Sequence, residues 1–170
     1  YNAPRTRIMA IKAQDVKKLR EATGVGMMDC KKALVEADGD FDKAIEILRT
    51  KGQKVAAQRA DRDASEGAIV TATTADGSVA VIAEVNSETD FVARNDQFVA
   101  FAQSIADALL AARPADLDAA KAEVQIDGQP LGDALTQMTG KIGEKIDVRR
   151  FEIVEAAEGG SVVDYIHPGA

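Results

Sequence analysis

The chain has no tryptophan, two tyrosines and five phenylalanines in 170 residues. So few aromatics argue against a stacking platform for single-stranded nucleic acid. Cys30 is the only cysteine and His167 the only histidine. One cysteine excludes an internal disulfide and a structural zinc site built on cysteines. No run approaches the roughly 18 apolar residues of a membrane span. The first ten residues, YNAPRTRIMA, lack the apolar stretch of a secretory signal. With 46 % hydrophobic and 29 % charged residues, the composition is that of a globular protein, and a cytoplasmic location is predicted.

Acidic residues dominate, but unevenly. Residues 1–62 carry 14 Lys/Arg against 9 Asp/Glu, a balance of +5. Residues 63–170 carry 7 against 19, a balance of −12. A mildly basic head followed by an acidic body predicts two units, and the body's charge opposes binding to phosphate backbones.

The apolar pattern supports that division. Residues 1–9 read as a leader or extension, because Met9-Ala10 resembles a natural start. Residues 10–52 read as three short helices. Val16, Leu19 and Thr23 form the first stripe, stopped by Gly24. Met27, Cys30, Ala33, Leu34 and Ala37 form the second, ended by Asp38-Gly39. Phe41, Ala44, Ile45 and Leu48 form the third, capped by Asp40 and ended near Gly52. Residues 53–66 (QKVAAQRADRDASE) lack a wide apolar face and read as a partly helical linker.

The period then changes. Gly67–Thr74 and Ser78–Asn86 are β-branched runs joined at Ala75-Asp76-Gly77, a strong hairpin signal. Asn95–Ala112 is helical, with Phe98, Phe101, Ala102, Ile105 and Leu109 on one face and Pro114 beyond its end. Leu131–Ile142 repeats that pattern. Ile146–Val154 alternates like a strand, and Val162–Ile166 like a short last one. The order β-β-α-α-β-β over 67–170 predicts an α+β unit, an antiparallel sheet with helices packed on one face. The chain stops directly after its last expected strand, as an amino-terminal portion of a longer protein would.

Catalytic constellations are scarce. Gly24-Val25-Gly26 lacks the third glycine and the Lys-Ser/Thr of a phosphate loop, and it lies between helices. A Cys-His pair would have to join Cys30 in the head to His167 at the far end, so Cys30 reads as an inert core residue. The segment Thr89-Asp90-Phe91-Val92-Ala93-Arg94-Asn95 stands out at a strand-to-helix junction. Phe91 lies seven residues before Phe98. It either extends the helix stripe as a core residue beside an N-cap Asp90, or stands exposed as an aromatic wedge for a partner's pocket.

Four segments carry a resemblance. Lys17–Leu34 (KKLREATGVGMMDCKKAL), Glu88–Asn95 (ETDFVARN), Lys141–Arg150 (KIGEKIDVRR) and Tyr165-Ile166-His167 resemble, in order, signatures of the bacterial elongation factor Ts family. The resemblance covers about residues 10–170. It implies a guanine nucleotide exchange factor for elongation factor Tu, without covalent catalysis or a cofactor or metal of its own. It also implies a ubiquitin-associated-like three-helix head that packs on the partner GTPase. Thr89, Asp90, Phe91 and Val92 match the family's element for dislocating magnesium in the partner. Arg20, Met27, Met28 and Lys31 match head positions that touch the GTPase domain. Ile142, Gly143 and His167 match further partner contacts.

Other readings accompany these. Met27 and Met28 are adjacent, so one is expected in the core and one exposed. Arg20 and Lys31 also read as solvated charges, Gly143 as a helix end and His167 as a tail residue. Longer family members carry a second half-body beyond the position of Ala170, and shorter ones work as dimers. The resemblance therefore leaves room for a homodimer of the full-length protein, and for a head that docks on a GTPase without promoting exchange. A small-ligand enzyme is the remaining alternative; no direct nucleic-acid or membrane partner is expected.

Overall fold

A computed structural model describes residues 11–167; the leader expected over 1–9 lies outside the described residues. The head opens with α1 (Ala13–Thr23), which buries Val16 and Leu19. Gly24 ends it in the left-handed region, φ 63°, donating its N–H to the Arg20 carbonyl. Helix α2 (Met27–Glu36) buries Cys30, Ala33 and Leu34. Helix α3 (Phe41–Arg59) starts at Asp40, whose carboxylate accepts from the Lys43 N–H at 2.9 Å. Ala44 and Leu48 close this small core.

Helix α3 does not end near Gly52 but continues to Arg59, through the first half of the stretch read as a linker. No proline or left-handed residue interrupts 53–59. The added turns are supported from outside: α3 packs against a later helix, α7 (Leu131–Ile142), with Gly52 facing Gly140.

Strands β1 (Glu66–Thr73) and β2 (Val79–Ser87) form the predicted antiparallel hairpin. Its turn is fixed by the Asp76 carboxylate, which accepts from the Ser78 N–H and hydroxyl and from Thr74. These bonds hold the Asp76 carboxyl down to about 2. A short helix α4 (Asp90–Ala93) leads into α5 (Asp96–Ala112), and α6 (Leu117–Glu123) follows. Strands β3 (Gln125–Ile126) and β4 (Gln129–Pro130) make a miniature hairpin before α7. Its turn residues Asp127 and Gly128 both have positive φ, the backbone that an Asp-Gly pair favours. Strand β5 (Asp147–Glu155) completes a three-stranded antiparallel sheet of order β1-β2-β5.

The fold is therefore α+β, with a helical bundle first and a sheet after it. Val70, Val81, Ala83, Val85 and Val148 from the sheet meet Phe98, Ala102, Ile105 and Leu109 of α5, with Leu131 and Leu135 of α7. The strand expected over Val162–Ile166 is not formed. The Val162 N–H donates to the Gly77 carbonyl, and Asp164 accepts from the hydroxyls of Thr71 and Thr73. Side-chain bonds thus tie this segment to β1, and no ladder of backbone pairs builds a fourth strand.

Candidate functional site

The junction between β2 and α5 is built from the strand outward. Ser87, fully buried at the strand end, donates its hydroxyl to the Thr89 carbonyl at 3.0 Å. Thr89, not Asp90, is the N-cap of α4: its backbone is extended and its hydroxyl oxygen accepts from the Val92 N–H. After one turn the chain breaks, and Asn95 caps α5 by accepting from the N–H groups of Gln97 and Phe98. With two caps six residues apart, α4 and α5 are separate helices. Phe91 therefore does not continue the α5 stripe. Val92 and Ala93 pack on the sheet core, while Phe91 points away and is 83 % exposed. Asp90 stays at the surface in a 3.3 Å ion pair with Arg94.

Two acidic residues to which the sequence reading assigned no role, Glu88 and Glu144, hold this turn. Both oxygens of Glu144 are used on Thr89: Oε2 accepts from its N–H at 3.0 Å and Oε1 from its hydroxyl at 2.7 Å. Glu88 accepts from the Arg59 guanidinium at 2.9 and 3.1 Å and from the Lys145 N–H at 2.7 Å. Lys145 in turn donates its ammonium to the carbonyls of Ala60 and Arg62. Partial burial raises the Glu88 carboxyl. The Lys145 N–H, the Arg59 hydrogen bond and the nearby positive charges outweigh that effect and hold it below the ordinary range. No local signal marks these partners, because Thr89 and Glu144 are 55 residues apart in sequence.

The other predicted residues fall at three places. Arg20 and Lys31 are exposed on α1 and α2. Met27 and Met28 do not divide between core and solvent: they are 49 % and 64 % exposed. Both precede the buried stripe of α2, which begins at Cys30. Cys30 itself is fully buried, its thiol 3.5 Å from the Val25 carbonyl.

Ile142 is half-buried against the sheet core. Gly143 ends α7 in the left-handed region, φ 82°, with its N–H on the Thr139 carbonyl. Beside it, Lys141 lies over Gly24, where a Cβ would collide with the lysine chain. Burial there pushes the Lys141 amine below its usual value. Lys141 at Gly24 and Glu144 at Thr89 thus link the head, the end of α7 and the Phe91 turn. His167 is not in this chain of contacts; its described hydrogen-bond partner is the Tyr165 hydroxyl, at 3.3 Å.

The junction presents Phe91 as a projecting ring. A cleft of about 460 Å³ is lined by residues including Arg62, Asn86, Lys145 and Arg149, and Phe91 is not among them. Among the described residues, no three His, Cys, Asp or Glu side chains converge on a metal-sized point. Among them, too, no helix is long and apolar enough to cross a membrane.

Two comparisons with known proteins point to the same likeness. The family model described as Elongation factor TS matches residues 88–170. Elongation factor Ts of Chlorobium luteolum is 51 % identical over 163 residues, covering 94 % of this chain and 56 % of the relative. That of Christiangramia forsetii is 53 % identical over 159 residues with the same coverage. That of Lacticaseibacillus casei is 50 % identical over 159 residues, 94 % of this chain and 54 % of the relative. The chain spans a little over half the length of these curated relatives. Over the 94 % of its length that aligns, the chain is similar to the amino-acid sequences of elongation factor Ts proteins, and the family model matches its second half.

Proposed function

We propose that the chain carries the exchange element of a guanine nucleotide exchange factor for elongation factor Tu, in translation elongation in the cytoplasm. It breaks no covalent bond. Arg20, Met27, Met28 and Lys31 of the head dock on the GTPase domain, with Ile142, Gly143 and His167 as further contacts. Thr89, Asp90, Phe91 and Val92 then act at the partner's nucleotide site. Phe91 enters between side chains near the bound magnesium. Displacing them disturbs the metal's water shell and the phosphate-binding loop, and removes much of the attraction that holds GDP. Linkage makes the effect reciprocal: the factor weakens GDP binding as much as GDP weakens binding of the factor.

The observation that carries this reading is the placement of Phe91. A large apolar ring that is 83 % exposed gains nothing for the folded chain. Set on a turn whose backbone is held on both sides, it is suited to insertion with little ordering cost. Adjacent exposed methionines supply an adaptable apolar surface on the head.

Stopped-flow release of fluorescent GDP from elongation factor Tu tests it. The chain should accelerate release, and Phe91→Ala should slow the accelerated rate by about tenfold or more. Equal rates for wild type and Phe91→Ala would remove the wedge from the mechanism. The head also has its own closed core, which favours a second reading: docking on a GTPase without exchange. Tight binding of the wild-type chain with no acceleration of GDP release is the outcome that selects it.

A further inference from the structure

The turn that presents Phe91 is too short to hold itself. Four helical residues are far below the length at which a helix persists in water. Something outside it must fix the ring's direction. Val92 and Ala93 pack on the sheet core, and Glu144 is the polar group in position to add to that hold. It stands one residue beyond the left-handed Gly143, and this turn at the end of α7 brings its carboxylate to the start of α4. There it binds Thr89 at both of that residue's donors.

The second of these bonds matters beyond its own strength. A threonine hydroxyl has one proton and free rotation. When the proton is committed to Glu144 at 2.7 Å, the oxygen lone pairs are left to face the Val92 N–H. A relay results: carboxylate, hydroxyl, then the first-turn N–H of the helix that carries the wedge. The charged acceptor makes the first link of this relay the strong one.

We infer that Glu144 is the positioning residue for Phe91: through Thr89 it sets the direction of the ring before the partner arrives. Glu144 itself does not touch the partner's nucleotide site. This rests on the wedge reading of Phe91 above. It adds that the rate of the exchange step, rather than the affinity of the complex, depends on a carboxylate in the α7–β5 loop. Arg20, Met27 and Met28 belong to the head and are untouched by its loss.

The test uses the full chain with Glu144→Ala, Glu144→Gln, Thr89→Val and Thr89→Ser. The first readout needs no partner: amide hydrogen exchange across residues 89–93 of the free chain. Glu144→Ala and Thr89→Val should raise exchange there by about tenfold and leave α5 and the sheet unchanged. Glu144→Gln, which keeps the shape and one acceptor, should fall between, and Thr89→Ser should match wild type.

The second readout is GDP release from elongation factor Tu as a function of chain concentration. The maximal rate should drop on the order of tenfold for Glu144→Ala, with half-saturation changed by less than about twofold. Unchanged protection over 89–93 in both Glu144→Ala and Thr89→Val overturns the inference. So does lost protection with an unaltered maximal rate. A wild-type chain that does not accelerate GDP release would instead overturn the exchange reading, and the hydrogen-exchange arm would still decide whether Glu144 orders the turn. A variant that loses protection throughout the chain reports a folding role and counts against positioning.

Discussion

Gly140 of α7 lies directly on the backbone of Gly52 in α3, and the contact is not symmetric. A Cβ added to Gly140 would fall onto the Gly52 Cα and carbonyl. A Cβ added to Gly52 would rest 3.6 Å from the Gly140 Cα, at ordinary contact distance. The two helices meet this closely because Gly140 has no side chain, and this contact joins the head to the body.

The asymmetry gives the first prediction. Alanine normally favours a helix over glycine by about 1 kcal/mol. Gly52→Ala should therefore leave stability unchanged or raise it by up to about 1 kcal/mol. Gly140→Ala should lower it by roughly 1–3 kcal/mol despite the same propensity gain, because backbone must move to admit the methyl. Urea denaturation of both variants checks this, and equal effects would contradict the packing described.

Phe91 and Phe98 give the second. They are seven residues apart, yet one is 83 % exposed and the other fully buried. Phe98→Ala should cost roughly 3–5 kcal/mol, and Phe91→Ala should stay within about 0.5 kcal/mol of wild type. Thermal melts of the two variants separate them. A large loss from Phe91→Ala would mean that the ring supports the fold.

Acid provides a third. The Glu88 carboxyl is held below its ordinary value near 4.5 in the folded chain. A depressed folded value means that the group contributes stability above the unfolded value and loses it as pH falls through the folded one. The stability advantage of wild type over Glu88→Gln should be full above about pH 5 and should shrink progressively below about 4.5. Urea midpoints measured from about pH 7 downward test this; a gap that does not change with pH would sink it.

Docking and exchange should separate in a fourth. Arg20→Ala or Met28→Ala should weaken the complex with elongation factor Tu by about three- to tenfold in calorimetry. Once saturated, either variant should release GDP at the wild-type maximal rate. Unaltered affinity in both would take the head out of the interface.

Much of the fold is legible in the sequence because its signals are local. The Asp76-Gly77 turn, the Asp40 cap and the Gly24 and Gly143 stops act within a few residues. The period-2 runs of the hairpin and the apolar stripes of α5 and α7 are likewise read from neighbours. Helix α6 and the β3–β4 hairpin are not. Each is short, and only the Asp127-Gly128 pair marks the latter.

The candidate site is legible only as a position. Residues 89–92 mark a strand-to-helix junction, and the same letters allow a buried or an exposed Phe91. Two successive caps, at Thr89 and Asn95, break the helix and turn the ring outward. Spacing places Met27 in the α2 stripe, yet the core begins at Cys30, so both methionines face solvent.

By itself, then, the sequence determined most of the helices, the β1–β2 hairpin, the family signatures and the place where an aromatic interrupts a polar junction. These depend on near neighbours along the chain, where spacing and capping chemistry operate. Tertiary structure alone decided that α3 runs on to Arg59, that Val162–Ile166 is not a strand, and that Glu88 and Glu144 clamp the Phe91 turn. Each of those outcomes needed a partner tens of residues away, and exposure is a property of what packs against a side chain rather than of the side chain itself.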